Sequence, residues 1–226
     1  MTPGRTPLVK ICGLTRNTDA LFAQSVGADY VGMVLTQGFG RSVPAGAGPG
    51  VVSGVTVPRV AVTVDESPGA NVALARSIDA SIIQLHGDES PSTAGMLKSE
   101  GGWAVWKGIR ARSVEDVQRA IDAFAETIDG IVVEGWRPGQ VGGAGMTLQL
   151  AADEFRALLP PSLTFVLAGG LRPDSVARAV ARFQPDVVDV SSGVELAQGS
   201  KDPGLVEAFT HNARTATVGE RADPLE

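Results

Sequence analysis

A chain of 226 residues, 43% apolar and 19% charged, is long enough for a substantial core and reads as one soluble globular domain over 1–226. Its net charge of −6 argues against nucleic acid or an anionic membrane surface as the main partner, because both select basic faces, but leaves room for a small anion held by backbone amides. A single cysteine excludes an internal disulfide, no apolar run reaches the length of a membrane span, and the opening Met-Thr-Pro-Gly-Arg-Thr-Pro has no apolar signal region, so a cytoplasmic protein is expected.

The first predicted strand, Leu8–Cys12, ends in that cysteine and is broken at once by Gly13. Val9 and Ile11 alternate with Lys10 as in a strand, and Thr15 or Asn17 is in place to cap a helix over Thr18–Val26. Further strands are predicted at Tyr30–Leu35, Arg59–Val64, Ser81–Leu85, Ala104–Gly108, Gly130–Glu134, Thr164–Ala168 and Val187–Ser191. Helical patterns lie between and after them at Ala70–Ser77, Ser92–Ser99, Val114–Glu126, Leu148–Leu159, Asp174–Arg182 and Pro203–Arg214. The segment from Gly38 to Pro58 is crowded with glycine, proline and serine, so the second helix is expected to be short, irregular or missing. Successive βα units without a glycine fingerprint after the first strand point to a (β/α)8 TIM barrel rather than an open doubly wound sheet. The ends, 1–7 and 215–226, carry no periodicity and are expected to be mobile.

In such a barrel reacting groups gather at the carboxyl ends of the strands. Cys12 stands at one such end, as a reacting group or simply as a small buried hydrophobe. Glycine-bearing turns follow the last two strands, at Ala168-Gly169-Gly170-Leu171 and Ser191-Ser192-Gly193. Small residues there let backbone N–H groups approach an anion, and phosphate binding outweighs the alternative that they only make tight turns. Glu134 closes the sixth strand, either at the same mouth or as a solvated loop-edge acid. A thiolate that removes a proton from carbon and a carboxylic acid that protonates oxygen form a workable pair. Such a pair calls for a lowered cysteine pKa and a raised carboxyl pKa. Lys10 is expected to alternate away from Cys12 and to contribute little to that tuning. Arg41, in Gly40-Arg41-Ser42, is either a solvated surface arginine or a bidentate carboxylate partner. Gln84 and His86 share a side of the fourth strand, at the mouth or at a satisfied polar rim. With only His86 and His211, a metal site of paired histidines is not expected.

The segments Lys10-Ile11-Cys12-Gly13-Leu14-Thr15, Gly27-Ala28-Asp29, Arg41-Ser42-Val43, Gln84-Leu85-His86-Gly87, Gly142-Gly143, Ala168-Gly169-Gly170-Leu171 and Asp189-Val190-Ser191-Ser192-Gly193-Val194-Glu195 resemble the phosphoribosylanthranilate isomerase family of tryptophan biosynthesis. The resemblance implies a (β/α)8 barrel without cofactor that isomerises N-(5′-phosphoribosyl)anthranilate by an Amadori rearrangement. It implies Cys12 as general base, Arg41 on the anthranilate carboxylate, Asp189 near the ribose, and Gly170, Ser192 and Gly193 on the phosphate, beside Gly169. The family's usual acid at the end of strand six is aspartate; this chain has Glu134, and its loop at 142–150 lacks the lysine and the Phe-Asp-Trp stretch common there. Two other readings remain open at this point: a phosphate-ligand-binding barrel without catalysis, and a dual enzyme that also isomerises the histidine-pathway aminal. The expected partner is a small phosphorylated molecule, with a monomer as the starting assumption and a homodimer allowed.

Overall fold

The computed structural model describes residues 6–135 and 157–216. Eight parallel strands close into a barrel in chain order: β1 Leu8–Ile11, β2 Tyr30–Val34, β3 Arg59–Thr63, β4 Ile82–Leu85, β5 Ala104–Ala111, β6 Gly130–Gly135, β7 Thr164–Ala168 and β8 Val187–Val190. β8 returns to pair with β1, setting Lys10 opposite Asp189. The fold is the (β/α)8 TIM barrel that the sequence leads one to expect. β5 is the strand whose extent differs most from expectation, because Gly108 does not end it. It runs on to Ala111, in register with Gly135, and glycine is required in mid-strand because a Cβ there would lie 2.4 Å from His86 Nδ1.

Alternation along the strands divides the apolar residues into two cores. Val60, Val62, Ile82, Trp106, Val132, Val166 and Val187 fill the barrel interior, where Tyr30 and Trp106 meet edge to face at 5.5 Å. Their neighbours, among them Val9, Ile11, Ile131, Val133, Phe165 and Val188, face outward into the larger core under the helices. Full burial of such a side chain stabilises by ~1.5–3 kcal/mol.

The helices are α1 Asn17–Ser25, α2 Gly48–Val51, α3 Pro68–Ser77, α4 Pro91–Glu100, α5 Val114–Phe124, α6 Val176–Phe183 and α7 Pro203–Thr215. α2 has four residues, as its glycine and proline content leads one to expect. α3 and α4 start earlier than their apolar periodicity implies, because Ser67-Pro68 and Ser90-Pro91 each supply an N-cap followed by a proline at the first helical position. Ser67 Oγ accepts from Ala70 N and Ser90 Oγ from Thr93 N, both at 3.2 Å. The cap expected for α1 is absent: Thr15 Oγ1 donates to Gly199 O at 2.6 Å, Asn17 Nδ2 reaches Val51 O and Ser53 O, and Arg16 occupies the cap position without a capping side-chain bond, its guanidinium paired with Asp19 instead. Both polar groups serve to tie loops together instead. An antiparallel hairpin, β9 Glu195–Ala197 with β10 Ser200–Lys201, follows β8 and was not foreseen. The helix expected over 148–159 lies, but for its last residues, outside the described residues, as do most of both chain ends. Among the described residues no helix is long and apolar enough to cross a membrane.

One buried ion pair fixes the loop that carries His86 out of β4. Lys107 Nζ, on the outer face of β5, lies 2.8 Å from Glu89 Oε2, and Glu89 also accepts from Asp65 N and Gly87 N at 3.0 Å. Burial pushes the Glu89 carboxyl up, but Lys107, with the backbone N–H groups of Asp65 and of Glu89 itself, holds it below its ordinary value of 4.5. A carboxylate lowered on folding stabilises the native state above the unfolded value and loses that contribution as pH falls through the folded one. Urea midpoints measured from neutral pH down to the acid side of that value should therefore fall, with a smaller decline in Glu89→Gln than in the wild type.

Candidate active site

The carboxyl ends of the strands open into one cavity of about 340 Å³. Its wall includes every residue singled out from the sequence: Cys12, Arg41, Gln84, His86, Glu134, Gly169, Gly170, Asp189, Ser192 and Gly193. Cys12 follows β1 directly, its N–H bonded to Val190 O at 2.8 Å, so its sulfur is set at the seam where the barrel closes. It is largely buried but borders the cavity.

The expectation for Lys10 is overturned. Residues two apart on a strand share a face, so Lys10 projects into the barrel beneath Cys12 and is fully buried. Room for both comes from Gly32 on β2, where a Cβ would meet Cys12 Sγ at 2.9 Å and Lys10 Cε at 3.0 Å. Lys10 Nζ lies 2.8 Å from Asp189 Oδ2, and the other Asp189 oxygen is buried without a hydrogen-bond partner among the described residues. Burial pulls the ammonium down, but Asp189 and Cys12 more than offset it and Lys10 stays charged.

The acid–base tuning of the site also runs opposite to expectation. Burial pushes the Cys12 thiol up; Lys10 and Lys201 pull it down without reversing the shift, and Asp189 adds to the rise. Glu134 is pushed up by burial, yet His86, Arg110 and Lys10 outweigh that and its carboxyl lies below the usual range. His86 Nε2 is 3.6 Å from Glu134 Oε1, and His86 Nδ1 is 3.1 Å from Gln84 Nε2. Gln84, His86 and Glu134 thus form a line across β4 and β6, at the mouth rather than at a detached polar rim.

Arg41 is not a solvated surface residue. Its Nε and Nη2 hold Glu195 at 2.8 Å each, and Glu195 Oε1 takes a further contact from Lys201 Nζ at 2.9 Å. Lys201 in turn donates to Ser191 O at 3.0 Å. This bidentate pair orients the guanidinium against the cavity and leaves Nη1 outside the pair.

The two turns after β7 and β8 meet only because of their glycines. Gly169 and Gly170 have φ of +86° and +75°, the region glycine enters without steric cost. A Cβ at Gly193 would lie 1.9 Å from Leu171 O. The two turns therefore press together into one small-residue wall of the cavity. Among the described residues no group of three or more His, Cys, Asp or Glu side chains is placed to hold a metal.

Sequence reasoning missed Lys10, Arg110, Glu195 and Lys201. Period-two alternation was available for Lys10. Arg110 was hidden by ending β5 at Gly108, whereas Glu195 and Lys201 depend on a hairpin with no apolar alternation to announce it.

The model of a family described as N-(5′-phosphoribosyl)anthranilate (PRA) isomerase matches residues 9–212. The chain belongs to that family. A relative from Chromohalobacter salexigens, named N-(5′-phosphoribosyl)anthranilate isomerase, is 36% identical over 210 residues, covering 92% of this chain and 94% of the relative. The crystal structure of phosphoribosyl anthranilate isomerase from Thermotoga maritima superposes with a TM-score of 0.82 at 31% identity, covering 92% of this chain and 98% of that one. A family structure in complex with reduced 1-(o-carboxyphenylamino)-1-deoxyribulose 5-phosphate superposes with a TM-score of 0.78 at 28% identity, with 92% and 98% coverage. Family membership makes the protein an isomerase of tryptophan biosynthesis.

The Lys10–Asp189 pair yields a stability prediction. Removing one member of a buried pair strands the other, at a cost of ~3–5 kcal/mol. Lys10→Ala should lower the unfolding free energy by that amount in urea titrations, and Lys10→Met combined with Asp189→Leu should recover most of it.

Proposed function

We propose that the protein converts N-(5′-phosphoribosyl)anthranilate to 1-(2-carboxyphenylamino)-1-deoxyribulose 5-phosphate by an Amadori rearrangement, with Cys12 as general base and Glu134 as general acid. The observation that carries this reading is the convergence of a thiol, a carboxyl group, an oriented guanidinium and a glycine-walled turn pair on one cavity. The substrate has a matching group for each. Gly169, Gly170, Ser192 and Gly193 would hold the phosphate through backbone N–H groups. Arg41, braced by Glu195, would meet the anthranilate carboxylate through Nη1, and the unpartnered oxygen of Asp189 would accept from a ribose hydroxyl.

In this reading Glu134 protonates the furanose ring oxygen. The C1′–O bond breaks toward that oxygen while the anthranilate nitrogen lone pair forms a C1′=N bond. The Cys12 thiolate then takes the C2′ proton, and the C2′–H electron pair moves to C1′–C2′ to give an enolamine. Proton gain at C1′ and loss from the C2′ hydroxyl complete the ketone. Lys10 and Lys201 favour the thiolate. Bringing a phosphate and a carboxylate into the cavity favours the protonated form of Glu134, since added negative charge disfavours a nearby carboxylate. The longer side chain at 134 places the acid differently from the family's aspartate, and its contact with His86 is part of that placement.

Purified protein should turn over N-(5′-phosphoribosyl)anthranilate, and its gene should restore growth to a tryptophan auxotroph lacking this step. Cys12→Ala should abolish turnover while binding of a product analogue survives. Glu134→Gln should lower kcat/KM by about 100-fold or more, the usual contribution of a general acid. Soluble protein without turnover would instead favour a phosphate-ligand-binding barrel.

A further inference from the structure

The imidazole of His86 occupies a slot built for it. On one side Gly108 of β5 has no side chain, and a Cβ there would lie 2.4 Å from Nδ1 and 3.0 Å from Cε1. Beneath it, Gln84 stands two residues earlier on β4 with its amide 3.1 Å from Nδ1. Across the cavity, Nε2 faces Glu134 Oε1 at 3.6 Å. Gln84 is almost wholly buried, and its Oε1 is without a hydrogen-bond partner among the described residues. A half-turn of that amide sets Oε1 against Nδ1, satisfying the orphaned acceptor if Nδ1 carries a proton. With Glu134 at the other nitrogen, both ring positions then face acceptors, the environment that an imidazolium requires.

We infer that His86 is paired with Glu134 across the cavity and, acting through it, supplies the proton that this carboxyl passes to the substrate's ring oxygen. The inference rests on the isomerase reading above and makes His86 a positioning residue with a proton to deliver. The transfer balances: the Nε2 proton moves to Glu134 Oε1, the carboxyl proton moves to the ring oxygen as the C1′–O bond breaks, and neutral His86 regains a proton from solvent, to which its side chain is 20% exposed. The need for such a donor follows from the surroundings of Glu134. Arg110 from β5 and Lys10 from β1 join His86 in favouring the carboxylate, which by itself has no proton to give at neutral pH. Cys12, Asp189 and Arg41 also border the cavity, Cys12 as the opposite partner in the acid–base cycle. Imidazole is the side chain whose ordinary titration falls in the physiological range.

The test is the pH dependence of kcat/KM between about pH 5 and pH 9 for the wild type, His86→Gln and His86→Ala. The wild type should lose activity on the alkaline side along a limb set by His86. His86→Gln, which keeps a hydrogen-bond donor but carries no titrating proton, should lower kcat/KM by about 100-fold or more and move that limb into the carboxylate range. Added imidazole should restore activity to His86→Ala by filling the space beside Gly108, with a limb that follows the pKa of the imidazole derivative used. A His86→Gln profile with the wild-type limb, whatever its height, would show a purely structural role and overturn the inference. So would a wild-type profile without an alkaline limb, a measurement that needs no variant. Wild-type protein with no turnover at all would refute the isomerase reading itself, a result distinct from both.

Discussion

An ammonium group with no access to water, sealed in a barrel filled mainly by apolar side chains, sets the terms for the rest of the molecule. Lys10 is tolerable there only because Asp189 faces it across the β1–β8 seam at 2.8 Å. The same contact that closes the cylinder electrostatically therefore brings a carboxylate to the floor of the cavity. Cys12 sits one pleat above the lysine, and the absent side chain of Gly32 is the space both use. The closing seam of the barrel and the candidate base meet at one buried charge.

A second layer of charge works at the rim. Arg41 belongs to the loop after β2 and Glu195 to the hairpin after β8, 154 residues apart in sequence, and Lys201 completes the group. Carboxylate and guanidinium in bidentate contact fix direction as well as distance. The rim is thus held by ion pairs and the interior by packing, with the glycine turns after β7 and β8 as the uncharged wall between them.

Much of this was readable from the chain. The strands were legible because Val, Ile and Leu runs alternate or persist over short lengths between glycines, and each buried strand carries that signature in its own residues. The cavity membership of Cys12, Glu134, Gly170 and Ser192 follows directly from strand ends in a closed barrel. Helix starts at Pro68 and Pro91 were displaced because a Ser-Pro cap carries no apolar signal. Lys10 was misplaced by a reading of parity, not by any missing information. The tuning of Cys12 and Glu134 could not be read at all: its direction is set by His86, Arg110, Lys10 and Lys201, whose distances exist only after folding. Arg41 was similarly opaque, since its partner arrives from the far end of the chain.

The bare position at 108 carries a consequence for how this protein can change over generations. One added carbon there evicts the ring at 86, and a smaller residue at 86 removes the reason for the bareness. The two sites lie on neighbouring strands but are bound as a single heritable character. Drift at 108 is blocked until 86 has moved, so across descendants of this chain a side chain at 108 and a ring at 86 should be mutually exclusive.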